Sequence, residues 1–71
     1  MIDPTLTAYA AARHGWTVID HGLYIRSSPT ADEVATVAAD WACVAVRDRA
    51  TRDRVEFDTT DHNETIRLLT A

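Results

Sequence analysis

From Ala42 to Thr59 two runs of alternating apolar and polar residues, "ACVAVRD" and "RVEFDT", flank a charged stretch, "RDRATRDR", that spans Arg47 to Arg54. Alternation with a period of two marks a strand that buries one face. A loop at Arg49 to Arg52 sets Val46 opposite Val55 and Val44 opposite Phe57, and these four share an apolar face with Ala42. Arg47, Arg54 and Glu56 fall on the other face, where opposite charges can meet across the strands. The rival reading carries a helix from Ala31 through Trp41 and on to Arg54. Past Val46, however, its apolar stripe has nothing left to bury, and the hairpin is the better reading. The last loop position of such a hairpin often needs a left-handed backbone, where glycine is easiest and Arg52 costs about 1 kcal/mol.

Three helix starts are signalled. Asp3 before Pro4 is an N-cap with proline at the first helical position, and Gly15 follows Arg13 and His14, cations suited to a last turn. The first helix is expected from Pro4 to His14. Thr30 with Glu33, and Asp61 with Glu64, have the spacing of capping boxes. The first of these predicts a helix from Ala31 to near Asp40, with Val34, Val37, Ala38 and Trp41 as its stripe. The second predicts a short terminal helix in "DHNETIRLLTA", with Ile66 and Leu69 inward.

Between the first two helices, "WTVIDHGLYIRS" reads as a hairpin turning at His21 and Gly22, because glycine supplies the positive φ that two-residue turns favour. That turn pairs Ile19 with Tyr24 and Val18 with Ile25. Trp16, Val18, Leu23 and Ile25 then share one face, expected to be core, and Thr17, Ile19, Tyr24 and Arg26 share the other. The fold class expected is α+β in the order α-β-β-α-β-β-α: two antiparallel hairpins packed against helices, in one compact domain over residues 1–71.

Composition narrows the function. A chain of 71 residues buries only roughly 60% of its unfolded surface. Its 11 acidic residues exceed its 7 basic ones, all arginine, for a net charge of −4, which argues against a broad phosphate-coating surface. The lone Cys43 can form no internal disulfide and suits a reducing compartment. No apolar stretch approaches the ~20 residues that span a bilayer, and no signal peptide is visible. The chain reads as cytoplasmic, with no membrane contact.

Chemistry-bearing groups are sparse. His14, His21 and His62 lack the spacing of a helical zinc site, and the only glycines, Gly15 and Gly22, form no phosphate loop. "DTTDHNE", Asp58 to Glu64, is the most enzyme-like cluster, but capping already occupies Asp61 and Glu64. The sequence therefore points to no catalytic residue, no metal ligand, no cofactor and no enzyme.

Surface contact remains. Ile19, Tyr24 and Arg26 on one hairpin, and Arg49 and Arg52 at the tip of the other, are the residue types and places expected to touch a partner. The expected function is a small acidic accessory or regulatory protein that binds another protein. A homodimer through an exposed strand edge is one form of this, and a phage or mobile-element inhibitor of a host factor is another. An inhibitor of that kind would present Asp32, Glu33, Asp40, Asp58, Asp61 and Glu64 as phosphate surrogates. The alternative is a nucleic-acid-binding regulator that uses the arginine-rich tip, although Asp48 and Asp53 lie among its arginines.

Overall fold

The computed structural model describes residues 1–20 and 22–71. Its elements are α1 (Pro4–Arg13), β1 (Thr17–Asp20), β2 (Leu23–Ser27), β3 (Ala31–Val37), β4 (Ala42–Asp48), β5 (Arg54–Thr59) and α2 (His62–Leu69). The five strands form one antiparallel sheet in chain order. The fold is α+β, but the order is α-β-β-β-β-β-α. Among the described residues, no helix is long and apolar enough to cross a membrane.

Both helix ends follow the sequence signals. The Asp3 carboxylate accepts hydrogen bonds from the amides of Thr5 and Leu6 at 2.9 and 3.1 Å, and Gly15 follows α1 at φ +85°. The Asp61 carboxylate accepts the Glu64 amide at 2.9 Å. These bonds satisfy donors that a helix start leaves open.

The middle helix is absent, and residues 31–37 form β3, hydrogen-bonded on both sides. The signals that suggested an N-cap belong to a turn. Ser28 Oγ accepts from the amides of Thr30 and Ala31, and the Ser28 amide donates to the Ala31 carbonyl at 2.9 Å. Serine and threonine serve turns and caps by the same chemistry, and Pro29 suits the turn's φ. Glu33 does not return to its own helix start. It lies across from Arg26 and binds that guanidinium through both oxygens, at 2.8 and 3.0 Å.

The first hairpin also departs from expectation. Val18 pairs with Tyr24 and Asp20 with Leu23, so Ile19 is the extra residue of a β-bulge. The expected pairing of Ile19 with Tyr24 is off by one, and the expected core face is inverted at β2. Tyr24 is 1% exposed and lies beside Ala35 and Val44, while Leu23 and Ile25 are 37% and 41% exposed. The buried tyrosine hydroxyl lies 3.5 Å from Thr7 Oγ1, which gives it a polar partner beneath α1. The turn expected at His21 and Gly22 falls partly outside the described residues. Gly22 itself has φ +76°.

The β4–β5 hairpin has the expected register, with Val44 opposite Phe57, Val46 opposite Val55 and Arg47 opposite Arg54. Arg52 is left-handed at φ 65°. Its amide donates to the Asp48 carbonyl at 2.8 Å, and the Asp48 amide donates to the Asp53 carbonyl at 2.9 Å.

The two helices lie on one face of the sheet. Their first turns meet where the Asp3 amide donates to His62 Nδ1 at 3.1 Å, and their ends meet where Trp16 Nε1 donates to the Leu69 carbonyl at 2.8 Å. They therefore run side by side in the same direction. Beneath them Ile2, Trp16, Tyr24, Val37, Val44 and Leu69 form the buried centre.

Two of the three positive-φ positions among the described residues, Gly22 and Arg52, respond oppositely to substitution. A Cβ on Gly22 would sit 2.1 Å from the Val37 carbonyl oxygen, so Gly22→Ala lowers stability by more than about 1 kcal/mol. Arg52→Gly relieves left-handed strain and raises stability by about 0.5–1 kcal/mol. Thermal denaturation reads both, with the midpoint expected to fall for the first and rise by several degrees for the second.

Candidate protein-contact surface

Cross-strand register determines which side chains share the face opposite the helices. One row runs Thr17, Ile25, Val34, Ala45 and Glu56 from β1 to β5. The next row holds Leu23, Thr36, Cys43 and Asp58, and a third holds Ser27, Asp32, Arg47 and Arg54. Among the described residues no helix covers this side. Leu23, Ile25 and Val34, the last 43% exposed, form an apolar field near β2 and β3, and charge is concentrated toward β4 and β5.

The charged border is internally paired. Arg49 donates to Asp32 at 2.6 Å, and Arg54 meets Glu56 at 2.7 Å. The Asp32 carboxyl is held below its ordinary 3.8 first by the Arg49 hydrogen bond and then by Ser27. The Asp48 carboxyl is lowered by the Thr51 and Ala50 amides, which it accepts at 2.9 and 2.8 Å. Asp48 thus organises the loop, while the carboxylate that compensates Arg49 comes from β3.

The five residues expected to meet a partner do not converge. Ile19 is exposed at the bulge of the first edge strand, and Tyr24 is buried under α1. Arg26 stacks on Trp16 with its guanidinium carbon 4.5 Å from the ring centre, binds Glu33 and donates to the His14 carbonyl at 2.9 Å. Its hydrogen-bonding capacity is spent inside the molecule. Arg49 and Arg52 do share the β4–β5 tip, and among the described residues Arg52 makes no ion pair. The sequence reading missed Leu23, Ile25 and Val34, having placed the first two in the core and the third on a helix.

The "DTTDHNE" cluster is occupied structurally. Asp61 caps α2, His62 accepts the Asp3 amide, Thr59 Oγ1 accepts the Asp61 amide at 3.1 Å and Glu64 pairs with Arg67. Asp58 instead faces Cys43, and with Glu56 these form a group whose ligand atoms all lie within 4.8 Å of one another. The 44/57 register already implies the 43/58 pairing, so this trio was legible in principle. Burial first, and the Asp58 hydrogen bond second, push the Cys43 thiol up to about 11. It offers almost no thiolate at neutral pH.

No protein-family model, no curated protein and no solved structure matches the chain.

Two solution measurements follow from these electrostatics. Cys43 should react sluggishly with a thiol reagent at pH 7, where about one part in ten thousand is thiolate, and Asp58→Asn should speed the reaction. A wild-type rate equal to that of a free cysteine contradicts the arrangement. Asp32 and Asp48 have depressed folded-state values, so their contribution is present above the unfolded value and lost as pH falls through the folded one. The melting temperature should therefore drop below about pH 4, and less so in Asp48→Asn, which has no carboxyl to protonate there.

Proposed function

We propose that this chain acts by binding another protein through the uncovered face of its sheet. The observation that carries the reading is the half-exposed field of Leu23, Ile25 and Val34 on the side opposite both helices, bordered by Glu56 and Asp58. Apolar side chains aligned on a strand surface lose water-exposed area only when something packs on them. The fitting partner has an apolar patch with a basic group at its rim, which would meet Asp58, since Glu56 is already paired with Arg54. The net charge of −4 favours the same partner. An accessory or inhibitory role, of the kind filled by small phage and mobile-element proteins, rests on size and composition alone.

The alternative reading, nucleic-acid binding at the β4–β5 tip, is favoured by one feature: Arg52 is exposed, left-handed and without an ion pair among the described residues. Its neighbours Arg49 and Arg54 are neutralised by Asp32 and Glu56. Absence of a complex with DNA or RNA in a gel shift at low ionic strength ends it.

Affinity capture from a lysate at low salt tests the leading reading. A partner retained by the wild-type chain should be lost with Ile25→Glu and with Val34→Glu, while both variants melt as cooperatively as the wild type. Capture of no protein by the wild type contradicts the proposal.

A further inference from the structure

The sheet has two edges, and they are built differently. β1 is four residues long and bulged, which discourages pairing with another strand. β5 is six residues long, pairs with β4 without a bulge, and carries exposed Val55 and Phe57 at 51% and 46%. After β5 the chain enters α2, which packs over β4 and β5 on the helix side of the sheet and whose end reaches Trp16 beside α1.

Backbone polarity fixes which β5 groups are open. Asp48 and Asp53 form a hydrogen-bonded pair at the loop, so Val55, Phe57 and Thr59 direct their amides and carbonyls toward β4. Arg54, Glu56 and Asp58 direct theirs outward. These are the groups a further strand would use.

The sequence of β5 is complementary to itself when reversed. With Glu56 on a two-fold axis, antiparallel pairing of two β5 strands puts Arg54 of each copy opposite Asp58 of the other. Both are outward-bonding positions, as a hydrogen-bonded pair requires. The same register puts Val55 of each copy opposite Phe57 of the other in the closer, non-hydrogen-bonded positions, a β-branched and aromatic pairing that favours sheets. Sliding two residues one way opposes Glu56 to Asp58. Sliding the other way opposes Glu56 to Arg54 but also Phe57 to Asp53, and it loses the pair at Asp58, which would need Arg52 extended against its φ of 65°. The one unfavourable opposition in the chosen register is Glu56 with its own copy.

We infer that two copies of this chain pair through β5, with Glu56 on the two-fold axis, to make a continuous ten-stranded sheet. The inference rests on the reading that the chain works by protein contact, and it names a second copy as one partner. The axis stands perpendicular to the sheet, so all four helices lie on one side. The two open faces join on the other side as one surface, free for a further protein.

Sedimentation equilibrium of the full chain, at concentrations up to millimolar, tests this. The wild type should show a monomer–dimer equilibrium. Arg54→Asp and Asp58→Arg should each weaken it roughly tenfold or more, and the two together should restore it. Glu56→Gln should tighten it. Hydrogen exchange needs no variant: the Arg54, Glu56 and Asp58 amides should gain protection as concentration rises. A wild type that stays monomeric overturns the inference, as does a double variant that melts cooperatively yet associates as weakly as the singles. Such a monomer leaves the open-face reading standing, because that contact is lost with Ile25→Glu and is not predicted to depend on the Arg54 and Asp58 exchange.

Discussion

Arg26 joins β3 to the segments that end both helices. Its guanidinium lies over the Trp16 ring, donates to both oxygens of Glu33 and to the His14 carbonyl, and reaches the Ala71 carbonyl at 3.4 Å. The two bonds to Glu33 are partly buried, where water competes less well, while those to the His14 and Ala71 carbonyls are exposed. One residue of β2 thereby ties β3 to the ends of both helices. Trp16 completes the joint through its own bond to Leu69. Lysine would keep the charge here but lose the planar fork and the stack.

That joint makes the sheet one-sided. With Arg26 and Glu33 turned toward the helices, Tyr24, Ala35 and Val44 must be on the same side, and the alternate residues Ile25, Val34 and Ala45 must face away. Two short helices can cover only one side of five strands. The open face thus follows from packing, as does its division into an apolar field at β2 and β3 and a charged border at β4 and β5. The regular β5 edge is a further place where this geometry leaves backbone bonding capacity open.

The elements legible in the sequence are those governed by local chemistry. Asp3 with Pro4, Asp61 before α2, and the alternation on both sides of Arg49 to Arg52 each specify their own structure within a few residues, although the Asp61–Glu64 capping box forms only by half, because Glu64 pairs with Arg67 and the Asp61 amide donates to Thr59. β3 was not legible because the same residues satisfy two codes: Thr30 and Glu33 have the spacing of a capping box, and Val34, Val37 and Ala38 have a helical stripe. What decides between them is the ladder on both sides of β3 and the distant Arg26, and neither is visible within the segment. The face of β2 was misread for a related reason. A single extra residue at Ile19 shifts register by one and turns Tyr24 inward. Because the contact surface depends on β2 and β3, most of it was hidden as well, whereas the Arg52 tip and the Cys43–Asp58 pairing follow from a hairpin the sequence specifies.

The open face exists only because residues 31–37 form the third strand of a one-sided sheet. Nuclear magnetic resonance tests it directly, through the Cα and Cβ shifts of this segment and the contacts between strands. The structure predicts extended-type shifts from Ala31 to Val37, with Ala35 close to both Tyr24 and Val44. Helical shifts running from Ala31 to Asp40, without those contacts, would contradict it and remove the open face along with it.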